Sequence, residues 1–301
     1  MSRLRVASAL CLAALLCAAA LASCATAPAS AAALEWYEVG NAWFDAGKWD
    51  RAGEAYSRAL ALDPKLGAAS YNMLRALAEA GDHEGALRAA DLLLATDPGN
   101  VRVLAAKAYV LSRSGEPEAA LEVYSELLAL DPFSPDAVYN AAWLKAEAGD
   151  EAGAAADLKR LVEARPEDSG ALALYAKLLY GLGPKAEALA AHERLKAQGK
   201  ADAAALERLG GLYAEGRDFA KAMEAFAAAT AAEPKRASSW FALARLRLVE
   251  AEDGKGGLEA LAKALEAGFA DKAAAAALLG ERNLVEREAV AKALREKGLA
   301  P

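Results

Sequence analysis

The chain has 301 residues, 55% of them hydrophobic but only 7% aromatic, and its 35 Lys and Arg against 42 Asp and Glu give a net charge of −7. An acidic chain without a basic stripe is a poor candidate for binding nucleic acid or for purely electrostatic binding to anionic lipid, because both depend on clustered Lys and Arg. Alanine supplies much of the apolar content and, as the strongest helix former, predicts an all-helical protein.

The N-terminal segment indicates an exported chain. Residues 1–5 are short and basic, and residues 6–22 then run without a charge. This order is typical of a secretory signal peptide, since the apolar run is at the short limit for a membrane span and small residues follow it. An ordinary cleaved signal and a retained membrane helix are the alternatives to a lipoprotein signal.

The end of that segment resembles the lipobox of bacterial lipoproteins. Residues 21–24 read LASC and match the family's pattern of Leu, Ala, a small residue and Cys. The resemblance implies that Cys24 carries lipid and becomes the N-terminus, so that residues 1–23 are a signal peptide and residues 24–33 are the lipidated cysteine and a flexible tether. The other two cysteines lie within residues 1–23 and would leave with the signal, which excludes a disulfide or a Cys-based zinc site.

Prolines recur at a fixed interval along the rest of the chain. Pro64, Pro98, Pro132 and Pro166 are 34 residues apart, and Pro234 lies two periods further on. Because proline cannot continue a helix, each of them marks a recurrent helix end. A fixed period of this length predicts an array of repeated units.

The residues between these prolines resemble the tetratricopeptide repeat (TPR), a 34-residue helix–turn–helix unit. In that pattern small residues such as Gly40 and Ala52 lie where the two helices cross, and large residues fill the flanking gaps. The first copy matches the family at Trp36, Val39, Gly40 and Trp43 in its first helix and at Ala52, Tyr56 and Ala59 in its second.

The register predicts a TPR superhelix at residues 34–267, with repeats at 33–66, 67–100, 101–134, 135–168, 169–202, 203–236 and 237–267. The fifth copy is degenerate, with His192 in place of the second-helix aromatic. The seventh carries about four extra residues around 252–257. The resemblance implies an all-α fold, a right-handed TPR-type α-solenoid of stacked helix–turn–helix pairs.

The pattern changes after Gly268, and residues 268–301 predict C-terminal capping helices. Their expected bounds are about 272–279 and 284–297, with Asp271 and Asn283 as N-caps. A stacked array leaves an apolar face at its last repeat, which such helices would cover. A separate binding role for this segment is the alternative.

No combination of residues typical of catalysis occurs. The two histidines are His83, expected in an exposed turn, and His192, expected as a satisfied interior residue; neither has a second His or Cys at metal-ligand spacing. GxSxG, P-loop and GxGxxG patterns are absent from the sequence. We therefore predict a non-enzymatic protein with no catalytic residue, no metal and no cofactor.

The TPR resemblance implies a partner-binding groove lined by the first helix of each repeat. Aromatic rings there would supply apolar area and Asn amides would bond a peptide backbone, although some rings could instead pack between repeats. The positions that face the groove in the family are occupied by Tyr37, Asn41, Phe44, Tyr71, Asn72, Arg75, Tyr109, Arg113, Tyr139, Asn140, Trp143, Lys177, Tyr180, Arg208, Phe241 and Arg245.

Together these features predict a membrane-anchored, non-catalytic scaffold of the bacterial cell envelope that binds a protein or peptide in its groove, as an assembly factor or adaptor. The alternative is a small-molecule-binding or transport-accessory periplasmic lipoprotein that uses the bore of the superhelix. Ala25, in place of the aspartate that retains enterobacterial lipoproteins at the inner membrane, favours the outer membrane facing the periplasm. Partner identity and oligomeric state stay open.

Overall fold

The computed structural model describes residues 29–300, which contain sixteen α-helices and no strand. The signal peptide and the lipid attachment at Cys24 lie outside the described residues. No helix within 29–300 is both long and apolar enough to cross a membrane. The all-α fold class is therefore confirmed for the described part of the chain.

The helices divide between two compact units, with the boundary after Ala137. The first unit holds six helices and the start of the seventh, and the second unit holds the rest. In chain order the helices are α1 Ala29–Asp45, α2 Trp49–Leu62, α3 Gly67–Ala80, α4 His83–Thr96, α5 Val101–Ser114, α6 Pro117–Leu130, α7 Pro135–Glu147, α8 Glu151–Ala164, α9 Ser169–Leu182, α10 Lys185–Ala197, α11 Ala203–Glu215, α12 Phe219–Ala232, α13 Ala237–Val249, α14 Gly254–Glu266, α15 Lys272–Gly280 and α16 Arg287–Glu296.

The helix starts follow the 34-residue period of the sequence. From α3 onward, the first helix of every predicted repeat begins at Gly67, Val101, Pro135, Ser169, Ala203 or Ala237, each 34 residues after the one before. The second helices from α2 to α12 keep the same spacing. The proline period thus predicted where each helix pair begins.

Small residues hold the two helices of a pair close together, as the pattern predicted. An alanine at one fixed position of the second helix is fully buried in six repeats. Gly40 lies so close to the ring of Tyr56 that an added Cβ would be 2.4 Å from it, and Gly210 would be 2.9 Å from the ring of Phe226. Since real Cβ contacts are longer than this, glycine at these two crossings allows the aromatic ring to pack against the backbone. The buried alanines are Ala52, Ala86, Ala120, Ala154, Ala188 and Ala222.

Side-chain caps begin many of the helices, and left-handed glycines end several of them. Asp82, for example, accepts a hydrogen bond from the backbone N–H of Gly85, which satisfies one of the free N–H groups at the start of α4. At the end of α3, Gly81 has φ of 84°, a conformation that favours glycine. The other side-chain caps are Asn100, Asp150, Asp168, Asp202, Asp218, Asp253 and Asp271.

The two C-terminal helices cover the apolar end of the last helix pair. Leu278 of α15 and Val290 and Leu294 of α16 are fully buried in one cluster with Leu248 and Leu261 of the preceding pair. The Asp271 cap is confirmed, because its side chain accepts from the N–H of Ala274. These helices therefore pack as the predicted capping element of the second unit.

The predicted cap at Asn283 is wrong. Helix α16 begins only at Arg287, after Glu286 in a left-handed conformation with φ of 52°. The backbone N–H of Val285 donates to the carbonyl oxygen of Leu248 at 3.1 Å, and Leu284 is buried. This contact with α13 holds the residues before α16 in an irregular turn, so tertiary packing overrides the local capping signal.

Two further boundaries differ from the sequence-based expectation. Helix α1 begins at Ala29, inside the expected tether of residues 24–33, and Ala33 is fully buried. Helix α14 begins at Gly254, 35 residues after the start of α12 at Phe219, so the seventh repeat is offset by one residue rather than by four. Most of the supposed insertion at 252–257 is thus the first turn of α14.

His192 is buried, as predicted, but its ring is only half satisfied. Its exposed fraction is 1%, and Nδ1 lies 2.8 Å from the carbonyl oxygen of Ala188. Its Nε2 has no hydrogen-bond partner within residues 29–300. Burial lowers the pKa of His192 below 6.5, which keeps the ring neutral at pH 7. The other histidine, His83, is the first residue of α4 and is half-buried rather than exposed.

Candidate partner-binding site

The predicted groove residues of the first unit lie on α1, α3 and α5. They form one surface, called here the groove face, which consists of Tyr37, Asn41, Phe44, Tyr71, Asn72, Arg75, Tyr109 and Arg113. On each first helix these residues are mostly three or four positions apart, so they lie on one side on successive turns, and the repeat period returns equivalent side chains to that side.

Two asparagines join neighbouring repeats within the groove face. Asn41 Oδ1 accepts hydrogen bonds from the Tyr56 hydroxyl at 2.9 Å and from Asn72 Nδ2 at 3.0 Å. Asn72 Nδ2 also lies 3.4 Å from the Tyr37 hydroxyl oxygen. Burial raises the pKa of Tyr56, so its hydroxyl stays protonated and continues to donate at neutral pH. The asparagines therefore fix α1 against α3, a role that their predicted contact with a peptide did not include.

Three arginines of α3 and α5 lie over aromatic rings of the first unit. The guanidinium of Arg75 is 4.5 Å from the centre of the Phe44 ring, and that of Arg113 is 5.9 Å from the centre of the Tyr109 ring. Arg102 covers Tyr71 in the same way, at 4.5 Å. Within residues 29–300 none of these arginines pairs with a carboxylate, although Arg113 donates to the Tyr109 hydroxyl at 3.2 Å. N–H groups of the guanidiniums therefore remain available to a ligand.

A cavity of ≈ 160 Å³ opens between α3 and α5 in the middle of the groove face. Tyr71, Arg75 and Tyr109 line it together with Glu79, and Leu74, Ala78 and Ala106 supply apolar wall. Sites for drug-sized molecules are about 300–1,000 Å³. This cavity is therefore the size of one side chain of a larger partner, and the charged groups of Arg75 and Glu79 lie in its lining.

The predicted groove residues of the second unit differ from one another in exposure and in contacts. Trp143 and Tyr180 are 45% and 41% exposed, while Tyr139 packs partly into the apolar core. Arg245 is engaged by Glu281 at 3.2 Å. Asn140 and Arg208 are half-buried, and Lys177 is exposed.

Phe241 does not face a groove, and that prediction is corrected. It is 7% exposed, and its ring stacks on Phe269 with a centre-to-centre distance of 3.9 Å and an interplanar angle of 6°. Phe269 belongs to the segment between α14 and α15, which the repeat pattern does not include. The C-terminal addition thus converts a groove position into core.

Two tyrosines of the second unit donate to carboxylates. Tyr175 donates to Glu187 at 3.2 Å, and Tyr213 donates to Glu193 at 2.6 Å. Burial, followed by the bonded glutamate, raises the pKa of each tyrosine to about 12. Both hydroxyls are therefore committed to bonds within the unit.

Comparison with known families decides what these helix pairs are. Residues 44–110 and residues 105–169 match two sequence models described as tetratricopeptide repeat. Residues 44–169 therefore contain tetratricopeptide repeats. A comparison with curated proteins finds no match.

Solved TPR structures share the fold at low sequence identity. PilF of Pseudomonas aeruginosa is 18% identical with a TM-score of 0.59, and covers 70% of this chain and 96% of its own. YrrB, described as a TPR protein with an unusual peptide-binding site, is 22% identical with a TM-score of 0.56, covering 62% of this chain and 96% of its own. A TPR protein from Parabacteroides merdae is 20% identical with a TM-score of 0.54, covering 82% and 97%.

TPR folds generally serve as non-catalytic scaffolds for protein interaction. Within residues 29–300 no group of three or more His, Cys, Asp or Glu side chains is arranged to hold a metal ion. The groove face, with its aromatic rings, exposed guanidiniums and side-chain-sized cavity, is accordingly the candidate site.

Sequence reasoning missed two sets of residues. Tyr56 was assigned to packing alone, yet its hydroxyl holds Asn41 in the groove face. Trp36 and Trp43 were assigned to gaps between helices, yet in the first TPR they lie on the outer side of α1 beneath arginines of α2. The available signal was position, because α1 is the first described helix and no other described helix precedes it.

Proposed function

We propose that this TPR protein is a lipid-anchored component of the bacterial cell envelope that binds a peptide segment of a protein partner on the groove face. The observation that carries the proposal is the cavity between α3 and α5, which Arg75, Tyr71 and Tyr109 line, with Arg75 over Phe44 and with Arg102 and Arg113 over the rings of Tyr71 and Tyr109. Exposed arginines without carboxylate partners, next to aromatic rings, are the residue types enriched where proteins bind one another.

The geometry suggests how a peptide would be held. One side chain of the partner enters the cavity against Tyr71 and Tyr109, and the neighbouring peptide groups meet the guanidiniums of Arg75 and Arg113. The hydrogen bonds of Asn41 fix α1 and α3 before binding. A surface that is already ordered loses less conformational entropy on association, which favours affinity.

The similar structures support this class of function. The peptide-binding site in the description of YrrB belongs to that protein, and at 22% identity the likeness shows the fold. PilW, described as a type IV pilus biogenesis factor, is a second TPR structure similar to this chain, at 18% identity with a TM-score of 0.54. An assembly factor or adaptor for an envelope complex is the version of the scaffold that we propose.

The location follows from the LASC sequence at residues 21–24, which supports cleavage before Cys24 and its acylation. Two acyl chains would anchor the protein stably, because each buried methylene contributes about 0.8 kcal/mol. Ala25 supports sorting to the outer membrane, with the TPR units in the periplasm.

Position-specific photo-crosslinking in cells that make the protein tests the binding site. A photoreactive residue replaces Tyr109, which is 38% exposed on the groove face, or Leu92, which is 73% exposed on α4. We expect a defined protein adduct at position 109 and none at position 92. The adduct should disappear when Arg75→Ala is added, because the guanidinium at the cavity is lost.

An adduct of equal yield at both positions, or one that survives Arg75→Ala, would exclude the groove face as the binding site. A thermal shift of the purified chain with a small metabolite, combined with no protein adduct at position 109, would instead support the small-molecule alternative.

A further inference from the structure

The outer side of the first helix pair carries an uncovered apolar stripe. Trp36, Val39 and Trp43 are three and four residues apart, which places them along one side of α1. Val39 is 39% exposed, and both tryptophans are half-buried. We call this surface the leading face; it consists of Trp36, Val39 and Trp43 of α1 with Arg51, Arg58 and Leu62 of α2.

Equivalent positions are buried in three later repeats, on α5, α9 and α11, and half-buried in the others. Leu104 and Leu111 of α5 take the positions of Trp36 and Trp43 two repeats on, and they are 1% and 6% exposed. In α9 the corresponding Leu172 and Leu179 are 1% and 3% exposed. In these three repeats, this side of the first helix is packed against neighbouring helices. Because α1 is the first described helix, the leading face presents core-type residues with no described repeat to cover them.

The side chains of the leading face have the chemistry of a membrane interface. Arg58 lies over the Trp36 ring at 4.5 Å, and Arg51 lies over the Trp43 ring at 4.8 Å. Between these pairs is an open cavity of ≈ 260 Å³, with Ala55 and Glu54 also in its lining. Tryptophan is enriched at the headgroup level of bilayers, and arginine binds phosphate while its stem covers apolar surface. Glu54 offsets part of the positive charge, so ring burial and phosphate contacts, rather than net charge, would provide the binding.

The short link to the proposed lipid brings this surface to the bilayer. Helix α1 begins at Ala29, only five residues after Cys24. A fully extended chain spans at most about 3.3–3.6 Å per residue, so Ala29 is at most about 18 Å from the acylated cysteine. The helix start at Ala29 thus makes the tether about half as long as the sequence-based bounds of 24–33 imply.

We propose that the leading face rests on the lipid headgroup layer, with Trp36 and Trp43 in the interfacial region and Arg51 and Arg58 on lipid phosphates. This inference rests on the proposed acylation of Cys24. The first unit then lies on the membrane at the side of the leading face, and the groove face on α1, α3 and α5 is presented beside the bilayer.

Tryptophan quenching in vesicles tests the contact. The acylated full chain is placed in vesicles of phosphatidylethanolamine and phosphatidylglycerol whose acyl chains carry bromine, which quenches nearby indole fluorescence. We expect quenching of the wild-type protein and loss of most of it in the double variant Trp36→Phe and Trp43→Phe.

The matched control is Trp240→Phe. Trp240 occupies the same repeat position in the seventh TPR and also lies under a cation, Lys263, at 4.4 Å. It is far along the chain from Cys24, so its removal should leave the bilayer-dependent quenching unchanged. Phenylalanine keeps an aromatic ring at each site, and circular dichroism of the variants verifies that the helices persist.

The possible outcomes separate this inference from the proposed function. If mass spectrometry finds lipid on Cys24 and the protein floats with the vesicles, yet Trp36 and Trp43 are not quenched, the leading-face contact is wrong and the anchor stands. A chain without lipid at Cys24 overturns both. If the Cys24→Ala variant sediments as a dimer, and the added substitutions Trp36→Phe and Trp43→Phe dissociate it, a second copy of the chain occupies the leading face. If the variant is a monomer in which these tryptophans are protected from iodide quenching, the chain's own N-terminal segment occupies it. Either result overturns the lipid contact.

Discussion

The two units of the molecule use aromatic and charged side chains differently. In the first unit, arginines stack over Trp36, Trp43, Phe44, Tyr71 and Tyr109 at the surface. In the second, tyrosine hydroxyls donate to glutamates and the last helix pair is covered by α15 and α16. The second unit also has cations over rings, at Tyr213, Phe219 and Trp240, and what distinguishes it is that its last helix pair is covered.

The difference matters because the surface contacts contribute little to folding. An exposed cation–π pair is worth about 0.5–1 kcal/mol, whereas complete burial of a large apolar side chain contributes several times more. The arginines of the first unit can therefore leave their rings and bind a partner at a small cost in folding free energy. The buried side chains of the second unit cannot, because their exposure would cost much more. Three comparisons between matched residues of the two units test this view.

The largest effect is expected at the covered end of the second unit. Leu294→Ala removes a fully buried side chain of α16 and should lower the free energy of unfolding by about 2–5 kcal/mol. Leu62→Ala, at the uncovered end of the first unit where Leu62 is 41% exposed, should cost less than about 1 kcal/mol. Urea denaturation of both variants measures the difference. Equal losses would mean that Leu62 is covered in solution.

His192 makes the second unit sensitive to pH. Because burial lowers its pKa below 6.5, the folded state binds fewer protons than the unfolded state between 6.5 and the lowered pKa. The contribution is fully present above about pH 6.5 and is lost as the pH falls toward the lowered pKa, by at most about 1.4 kcal/mol per pH unit. The charged groups that influence the ring are Arg208 and Asp202.

Replacement of the imidazole should remove that slope. His192→Phe places a ring of the kind found at the equivalent positions of Tyr56, Tyr124 and Phe226, and it should reduce the loss of stability between pH 7 and pH 5. Denaturation at both pH values measures it, with His83→Gln as the control that should keep the wild-type slope. An unchanged slope in His192→Phe would show that other groups carry the pH dependence.

The smallest effect separates two tyrosines of equivalent size. Tyr213→Phe removes the hydrogen bond to Glu193 and should cost about 1 kcal/mol. Tyr109→Phe removes only an exposed contact with Arg113 at 3.2 Å and should change stability by less than about 0.5 kcal/mol. Thermal melts of the two variants resolve a difference of this size. A larger loss of stability for Tyr109→Phe would contradict a groove face whose side chains are free to bind a partner.

The sequence predicted what depends on the repeat. The proline period and the small residues at the crossings located every first helix from Gly67 onward, because identical local signals recur in identical packing. Several residues named for the groove on α1, α3 and α5 contact one another, and their role in binding a partner stays a prediction.

The sequence did not predict what depends on contacts outside the repeat. Phe241 has an ordinary groove position, and only the packing of Phe269 makes it core. The Asn283 cap fails because the backbone of Val285 bonds to Leu248, a partner that no local pattern specifies. The leading face was missed for a related reason, because a residue's own repeat does not reveal whether a neighbour precedes it.

The constant spacing of helix starts also bears on how such a chain can change its length. Each first helix from Gly67 to Ala237 begins 34 residues after the last, so duplication or loss of one whole period leaves every remaining junction with the geometry that it already has. Gain or loss of a few residues inside a pair has no such freedom, because it rotates the buried side of a helix away from its neighbour. The one-residue offset before α14 stands where the regular repeats end and the covering helices begin. Evolution can thus adjust the reach of the array in steps of one repeat, while its first pair and its C-terminal helices stay fixed.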